Sequence, residues 1–477
     1  MAFNWTFYIH AGIIAAGLII AMFLRFRIKF LQKFLIPNSI IAGFLLMPLY
    51  NFVFPKIGFN QEYLGEIAYH LLSISFIALS LRAMKRSRRA NRNRQGHAVV
   101  LLNQYGVQAF VGIILTWIFM NTFKPDLFHS FGFLFPLGFA LGPGQAFAIG
   151  EGWRVFGITD AGTVGLTFAA LGFIMASFGG VFLIHYGIRH KWISPEYMNK
   201  IRQTDVKTGI FPRGVKLPVG SFQTTQTEAM DSLTANVIFI LLCYVLSYFF
   251  LKAIGWLLAF AGPLGVELAT NLWGISFIFA ALVALLVRRI MDGLRIDHIL
   301  DDRTLSRVSG LSVDIMVTSS IAAISLVVAY KYWLPILIVT VIGTILILIL
   351  VPWMCSRVFS NNRFLRTIII FGAVTGTLTT GLALLRVLDP EFETPVASDY
   401  SYASGITFAA AIPFILAINF PAKAFQTGDM RWFAAGIAVA LGYIIFTMIW
   451  YMLLAKKKSF ARGSQVWALD RKKNFIN

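Results

Sequence analysis

The chain has 477 residues, 58% of them hydrophobic and only 13% charged, with a net charge of +20. A soluble domain carries about a quarter charged residues and a disordered chain is poor in apolar ones, so this composition, with a mean hydropathy of +0.74, excludes both. The positive charge invites a nucleic-acid partner, a reading that fails if the basic residues border apolar runs, as the positive-inside bias of a polytopic membrane protein requires.

A membrane-spanning helix needs about 20 mainly apolar residues. In chain order, eleven segments qualify: 4–24, 34–54, 63–82, 98–120, 161–187, 231–253, 265–287, 310–330, 332–354, 403–424 and 432–454. Two further apolar stretches, 128–150 and 367–386, are rich in Gly, Thr and Pro. The first span is not expected to be a cleaved signal peptide, because no basic residue precedes it and Arg25, Arg27 and Lys29 follow it directly. With the N-terminus outside, and with each Gly-rich stretch entering and leaving on one side, 33 of the 41 Lys and Arg fall in inside loops and six in outside loops. That bias supports an N-terminus outside and a C-terminus in the cytoplasm. The run Lys85, Arg86, Arg88, Arg89, Arg92, Arg94 lies between two apolar segments, so it reads as a topology lock touching anionic lipid rather than as a nucleic-acid surface. Cys243 and Cys355 lie in apolar segments, which argues against a disulfide.

The chain repeats coarsely. Four spans, a Gly/Thr-rich stretch and a fifth span make up residues 1–187, and the same order recurs over 231–425. The polar linker 188–230 separates them, and 426–477 adds one extra helix and a basic tail. The third spans share a texture, with Ser residues at 73, 75 and 80 in one and at 319, 320 and 325 in the other. Five spans per half is an odd number, so the second half is inverted. The expected fold class is therefore an all-α polytopic membrane protein of two inverted five-helix repeats, each with a re-entrant hairpin, plus one C-terminal helix, a pattern of secondary transporters.

The two odd stretches carry the chemistry. The first holds Gly142-Pro143-Gly144-Gln145 and the second Thr375-Gly376-Thr377-Leu378-Thr379-Thr380-Gly381. A helix broken there frees backbone groups, which hydrocarbon tolerates only where they line a cavity or are buried in protein. Freed carbonyls and Thr hydroxyls suit Na⁺, and freed N–H groups at a half-helix N-terminus suit a carboxylate. In this topology the hairpins enter from opposite sides, and their tips meet near the midplane.

At this point the sequence resembles the bacterial sodium/glutamate symporter family over roughly residues 5–425. The resemblance rests on Leu35-Ile-Pro-Asn-Ser-Ile-Ile-Ala-Gly43, the Ser-rich third span before the basic loop, Gly157-Ile-Thr-Asp-Ala161, Thr167-Phe-Ala-Ala-Leu-Gly-Phe173 with Gly179-Gly180, Leu311-Ser-Val-Asp-Ile315, the second hairpin and Pro413. It implies a homodimer in the bacterial inner membrane, taking up glutamate or a related anionic amino acid with Na⁺ as coupling ion, by an elevator-like movement of the domain that carries the hairpins. Two departures stand out. The family's Gly-Gly-His-Gly is here Gly142-Pro143-Gly144-Gln145, and its Gly-Ala-Thr-Pro-Thr-Ala is here Gly376-Thr377-Leu378-Thr379-Thr380-Gly381.

The candidate substrate-binding residues are Gly142, Pro143, Gly144, Gln145, Thr377, Thr379, Thr380 and Arg386, whose guanidinium could grip a carboxylate with two parallel bonds. The candidate Na⁺ ligands are Asp314, Ser73, Thr375 and Gly376. Asp314 is expected near the cytoplasmic end of its span, where an ionisable residue is a functional candidate. Glu267 and Asn271 read as a hydrated span end and a helix contact, His70 as structural, and Gln104 and Gln108 as polar glue between helices, ranked below Gln145. The usual enzyme and ATP-binding motifs are missing, so no catalytic residue or cofactor is expected and energy should come from an ion gradient. A channel, or an intramembrane enzyme acting on lipids, is the alternative.

Overall fold

The computed structural model describes residues 5–461 apart from 35, 83–91, 191, 193–207, 212, 216, 218, 261, 263–264, 267–268, 270–271, 274–275 and 390–393. Among the described residues the chain is helical, with no strand. In order the main helices are α1 (Thr6–Arg27), α2 (Asn38–Phe52), α3 (Glu62–Ser80), α4 (Arg92–Met120), α5 (Pro143–Gly152), α6 (Ala161–Arg189), α7 (Ser232–Ala259), α8 (Ser276–Leu294), α9 (Asp302–Ala322), α10 (Trp333–Val358), α11 (Arg363–Thr375), α12 (Leu378–Leu388), α13 (Val396–Ala417) and α14 (Met430–Ala455). Seven of them, α1, α3, α4, α6, α7, α10 and α14, are long and apolar enough to cross a membrane. On α1, α7 and α14 under a quarter of the apolar stretch is buried within the protein. An apolar helix that leaves so much of itself uncovered needs a lipid neighbour rather than water.

Two helices lie several residues earlier than the hydropathy expects. The eighth apolar segment, expected at 310–330, is α9 at Asp302–Ala322, followed by a short helix Leu326–Lys331. Its start is set by a cap that hydropathy does not register. The Asp301 carboxylate accepts from the Thr304 N–H at 2.9 Å, from the Thr304 hydroxyl at 2.7 Å and from the Phe222 N–H at 3.0 Å. Burial pushes this carboxyl up, but those hydrogen bonds outweigh it and hold it below its usual value. Its contribution to stability is thus present above the unfolded carboxylate range and is lost as pH falls through the lower folded value. Replacing Asp301 by alanine should destabilise the protein by about 1–2 kcal/mol, read as a lower melting temperature at pH 7. The tenth segment, expected at 403–424, is α13 at Val396–Ala417. The chain then turns, and Pro421 opens a short helix, Phe420–Thr427, since proline suits a helix start and not its interior.

The helices of the two chain halves interleave. α9 packs on α2 and α3, α3 on α8, α8 on α7 and α1 on α2. The Ser75 and Ser309 hydroxyls lie 2.8 Å apart where α3 meets α9, the two helices whose serine texture matches. The remaining helices form a second group, in which α4 packs on α10, α13 and α14, α6 on α5, α10 and α11, and α11 on α12. Two ion-paired clusters bind that second group at its ends. Lys331, just before α10, contacts Asp160, just before α6, at 2.7 Å. Arg94 at the start of α4 contacts Asp399 at the start of α13 at 3.2 Å, and Arg366 of α11 joins the same carboxylate at 2.9 Å. Cys243 and Cys355 are buried and free.

Candidate functional site

Both glycine-rich stretches are broken helices. In the first, a helical segment ends in a π turn over Leu137–Leu141, the wider winding that often marks a functional position. The Gly142 N–H closes that turn on the Leu137 carbonyl at 2.8 Å. Gly142 itself has φ +105° and ψ 174°, a region that only glycine adopts readily. Pro143 then opens α5, its fixed φ suiting the first helical position. In the second, α11 stops at Thr375, Gly376 and Thr377 leave helical geometry, and α12 starts at Leu378. The two arms fold back on one another, bringing Gly372 against Gly381.

The two breaks touch. A Cβ built on Gly142 would stand 2.8 Å from Thr377 Cγ2, and one built on Gly172 of α6 would stand 2.4 Å from the Thr375 carbonyl oxygen and 3.1 Å from Phe139. Contacts that short admit no side chain, so two glycines far apart in sequence let both breaks and α6 close on one point.

Beside this point is a cavity of about 160 Å³ lined by residues of both helix groups. Ser39, Asp314 and Val317 come from α2 and α9, and Phe173, Thr380 and Ala383 from α6 and α12. That volume is well below the roughly 300–1,000 Å³ of drug-sized pockets, so it suits a small solute. The N-termini of α2 and α12 both reach it, through Ser39 and Thr380. The partial positive charge there favours an anionic group. Asp314 supplies the opposite charge. It is exposed, at the middle of α9 rather than near its end, because α9 starts earlier than the hydropathy expects. The Thr318 hydroxyl, one turn on, donates to the Ser39 carbonyl at 3.1 Å and ties α9 to the start of α2.

The other sequence candidates distribute as follows. Gly144 packs on Leu72 and Met316, so it serves the contact of α5 with α3 and α9. Gln145 is buried beside the Gly142 turn. The Thr377 and Thr380 hydroxyls are 3.3 Å apart. Thr375 spends its hydroxyl on the Phe371 carbonyl at 2.6 Å, while Gly376 ends α11 with its N–H on the Gly372 carbonyl. Ser73 is fully buried in α3 and is not on the cavity wall. The side chains of Thr379 and Arg386, like Glu267 and Asn271, lie outside the described residues. His70 meets the Tyr244 hydroxyl at 2.5 Å and joins α3 to α7.

Two residues gain a place the sequence reading did not give them. Ser39 lies in the stretch Pro37-Asn38-Ser39, which is a helix-start signature. Gln108 reaches the second hairpin, donating to the Val374 carbonyl at 3.0 Å. No family model matches this chain, and no curated protein or solved structure matches it either.

Proposed function

We propose that the chain is an Na⁺-coupled secondary symporter for a small amino acid, glutamate or a relative of it, working by elevator-like alternating access. The observation that carries this is the meeting of Gly142 with Thr377, which joins two broken helices from opposite halves of the chain beside a cavity between two helix groups. Broken helices in corresponding positions of two halves are the pattern of transporter binding sites. In this reading α1–α3 and α7–α9 are the first three spans of each of two inverted repeats and form the scaffold. The hairpins with α4, α6, α10 and α13 form the moving part. The two ion pairs agree with it. Lys331 and Arg94 stand at the starts of the fourth spans, and each pairs with an aspartate at the start of the other repeat's fifth span. The site's charges suit a zwitterion, with the carboxylate at the N-termini of α2 and α12 and the ammonium group at Asp314. Eleven spans, an N-terminus outside, a bacterial inner membrane and a homodimer complete the proposal, the last two from the family resemblance alone.

The test is uptake of labelled L-glutamate into proteoliposomes with and without an inward Na⁺ gradient, against unlabelled competitors. Na⁺-dependent uptake blocked by glutamate is the expected result. No Na⁺-dependent uptake of any amino acid or carboxylate on the panel would end the proposal. Within it, Asp314→Asn should raise KM for the amino acid about 10- to 100-fold, the worth of one charge-assisted hydrogen bond of roughly 1.5–3 kcal/mol. An unchanged KM would remove Asp314 from the ammonium site.

A further inference from the structure

Gln104 and Gln108 lie on α4, four residues apart and therefore stacked on one face. Both are fully buried. The orientation of Gln108 is fixed, because its Nε2 must face the Val374 carbonyl, which only a donor can satisfy. Its Oε1 is left with no partner, and so is the Oε1 of Gln104, whose Nε2 turns to Asn103 at 3.5 Å. Two orphaned amide oxygens, one turn apart, thus stand buried on one face of α4, that of Gln108 beside the last turn of α11. Burying an unsatisfied acceptor is costly, and natural structures rarely leave two together without an occupant. The helix ends there, so carbonyls of its final turn lack intrahelical partners, and the carbonyl ends of half-helices are where coupling cations sit in transporters.

We infer that Gln104 Oε1 and Gln108 Oε1, with backbone oxygen of the Val374–Gly376 turn, form a binding site for a monovalent hard cation, Na⁺. Uncharged amide and carbonyl oxygens are hard ligands. They do not supply the negative charge that would offset burying a divalent ion. The site rests on the symport reading and deepens it. It places the coupling ion on the inner side of the second hairpin, where its arrival fixes the Thr375–Thr377 break that presents Thr377 and Thr380 to the cavity. It also transfers the ion from Asp314 and Ser73 to α4.

The test uses the purified full-length protein in detergent, melted in rising NaCl with choline chloride holding ionic strength constant. The wild type should gain a saturable, Na⁺-specific rise in melting temperature. Gln108→Leu and Gln104→Leu should each raise the half-saturating Na⁺ at least about 10-fold, and Gln104→Glu, which keeps an oxygen at that position and leaves the Gln108 bond to Val374 intact, should retain the response. Gln104→Leu breaks no bond to the hairpin, so it keeps the test open if Gln108→Leu fails to fold. Unchanged half-saturation in the leucine variants overturns the site and means the oxygens hold water. The same variants and the wild type are assayed for uptake of the same panel of amino acids and carboxylates. Na⁺-driven uptake with unaltered Na⁺ dependence in the variants sinks this site and leaves the symporter standing. Na⁺ stabilisation lost in the variants, without Na⁺-driven uptake in the wild type, sinks the symporter and leaves the site. A wild type indifferent to Na⁺ in both assays overturns both.

Discussion

Gly142→Ala is expected to abolish uptake, by about 100-fold or more, while the protein still folds and inserts. Two costs add at this position. The backbone at φ +105° and ψ 174° is a glycine-only region, and a side chain there stores about 1–3 kcal/mol of strain. The new methyl also lands 2.8 Å from Thr377 Cγ2, an overpacking worth about 1–3 kcal/mol more. Neither cost unfolds a chain of this size, but both are relieved by the same local motion, separation of the two hairpin tips. A shift of about 1 Å at a binding site is enough for such a loss. Two further variants tell strain from clash. Gly157 has φ +82° with nothing near a built Cβ, so Gly157→Ala carries strain alone and should leave uptake close to normal. Thr377→Ser removes the obstructing methyl, so it should recover part of the uptake of Gly142→Ala. Wild-type uptake by Gly142→Ala would mean the tips need not meet, and the site would have to lie elsewhere.

What the sequence shows and what it hides follow one physical line. Long apolar runs are a composition signal, so the helices at Thr6–Arg27, Ala161–Arg189 and Trp333–Val358 fall close to where hydropathy puts them. The breaks at Gly142 and Gly376 are equally legible, because proline and glycine act on their own backbone whatever surrounds them. Asp314 shows the limit. Its position depends on where α9 starts, and that is set by the Asp301 cap on Thr304, a cap that hydropathy does not register and that the Phe222 amide of a distant loop joins. Ser39 faces Asp314 only because α2 begins against α9. Gln108 reads as glue between helices until its donor is seen on a hairpin carbonyl and its oxygen on nothing. Contacts between segments far apart in sequence decide what Ser39 and Gln108 meet, and no local pattern encodes those contacts.

The largest stability effect is expected at Asp399, and the comparison with Asp160 shows why. The two aspartates hold analogous places, each next to the start of a long helix and each paired with a cation from the other half of the chain. Burial separates them. The Lys331 side chain is 49% exposed, whereas Arg366 is 0% exposed and also rests on the Phe359 ring. Removing Asp160 leaves a lysine that water can reach, which costs about 0–1 kcal/mol. Removing Asp399 strands the Arg366 guanidinium in the interior, and breaking such a pair costs about 3–5 kcal/mol. Asp399→Ala should therefore melt well below the wild type in detergent, and Asp160→Ala close to it. Replacing both members, Arg366→Leu with Asp399→Leu, should recover most of the loss, since a buried pair exchanged for apolar side chains is often neutral. Arg366 lies on α11, the arm that carries the Thr375–Thr377 break. Its anchor on α13 holds that arm while Gln108 holds the far end. Asp399→Ala should accordingly also weaken uptake in whatever protein remains folded, and the double leucine variant should regain stability before it regains transport. Equal melting of the two single alanine variants would show that burial is not what distinguishes the two pairs.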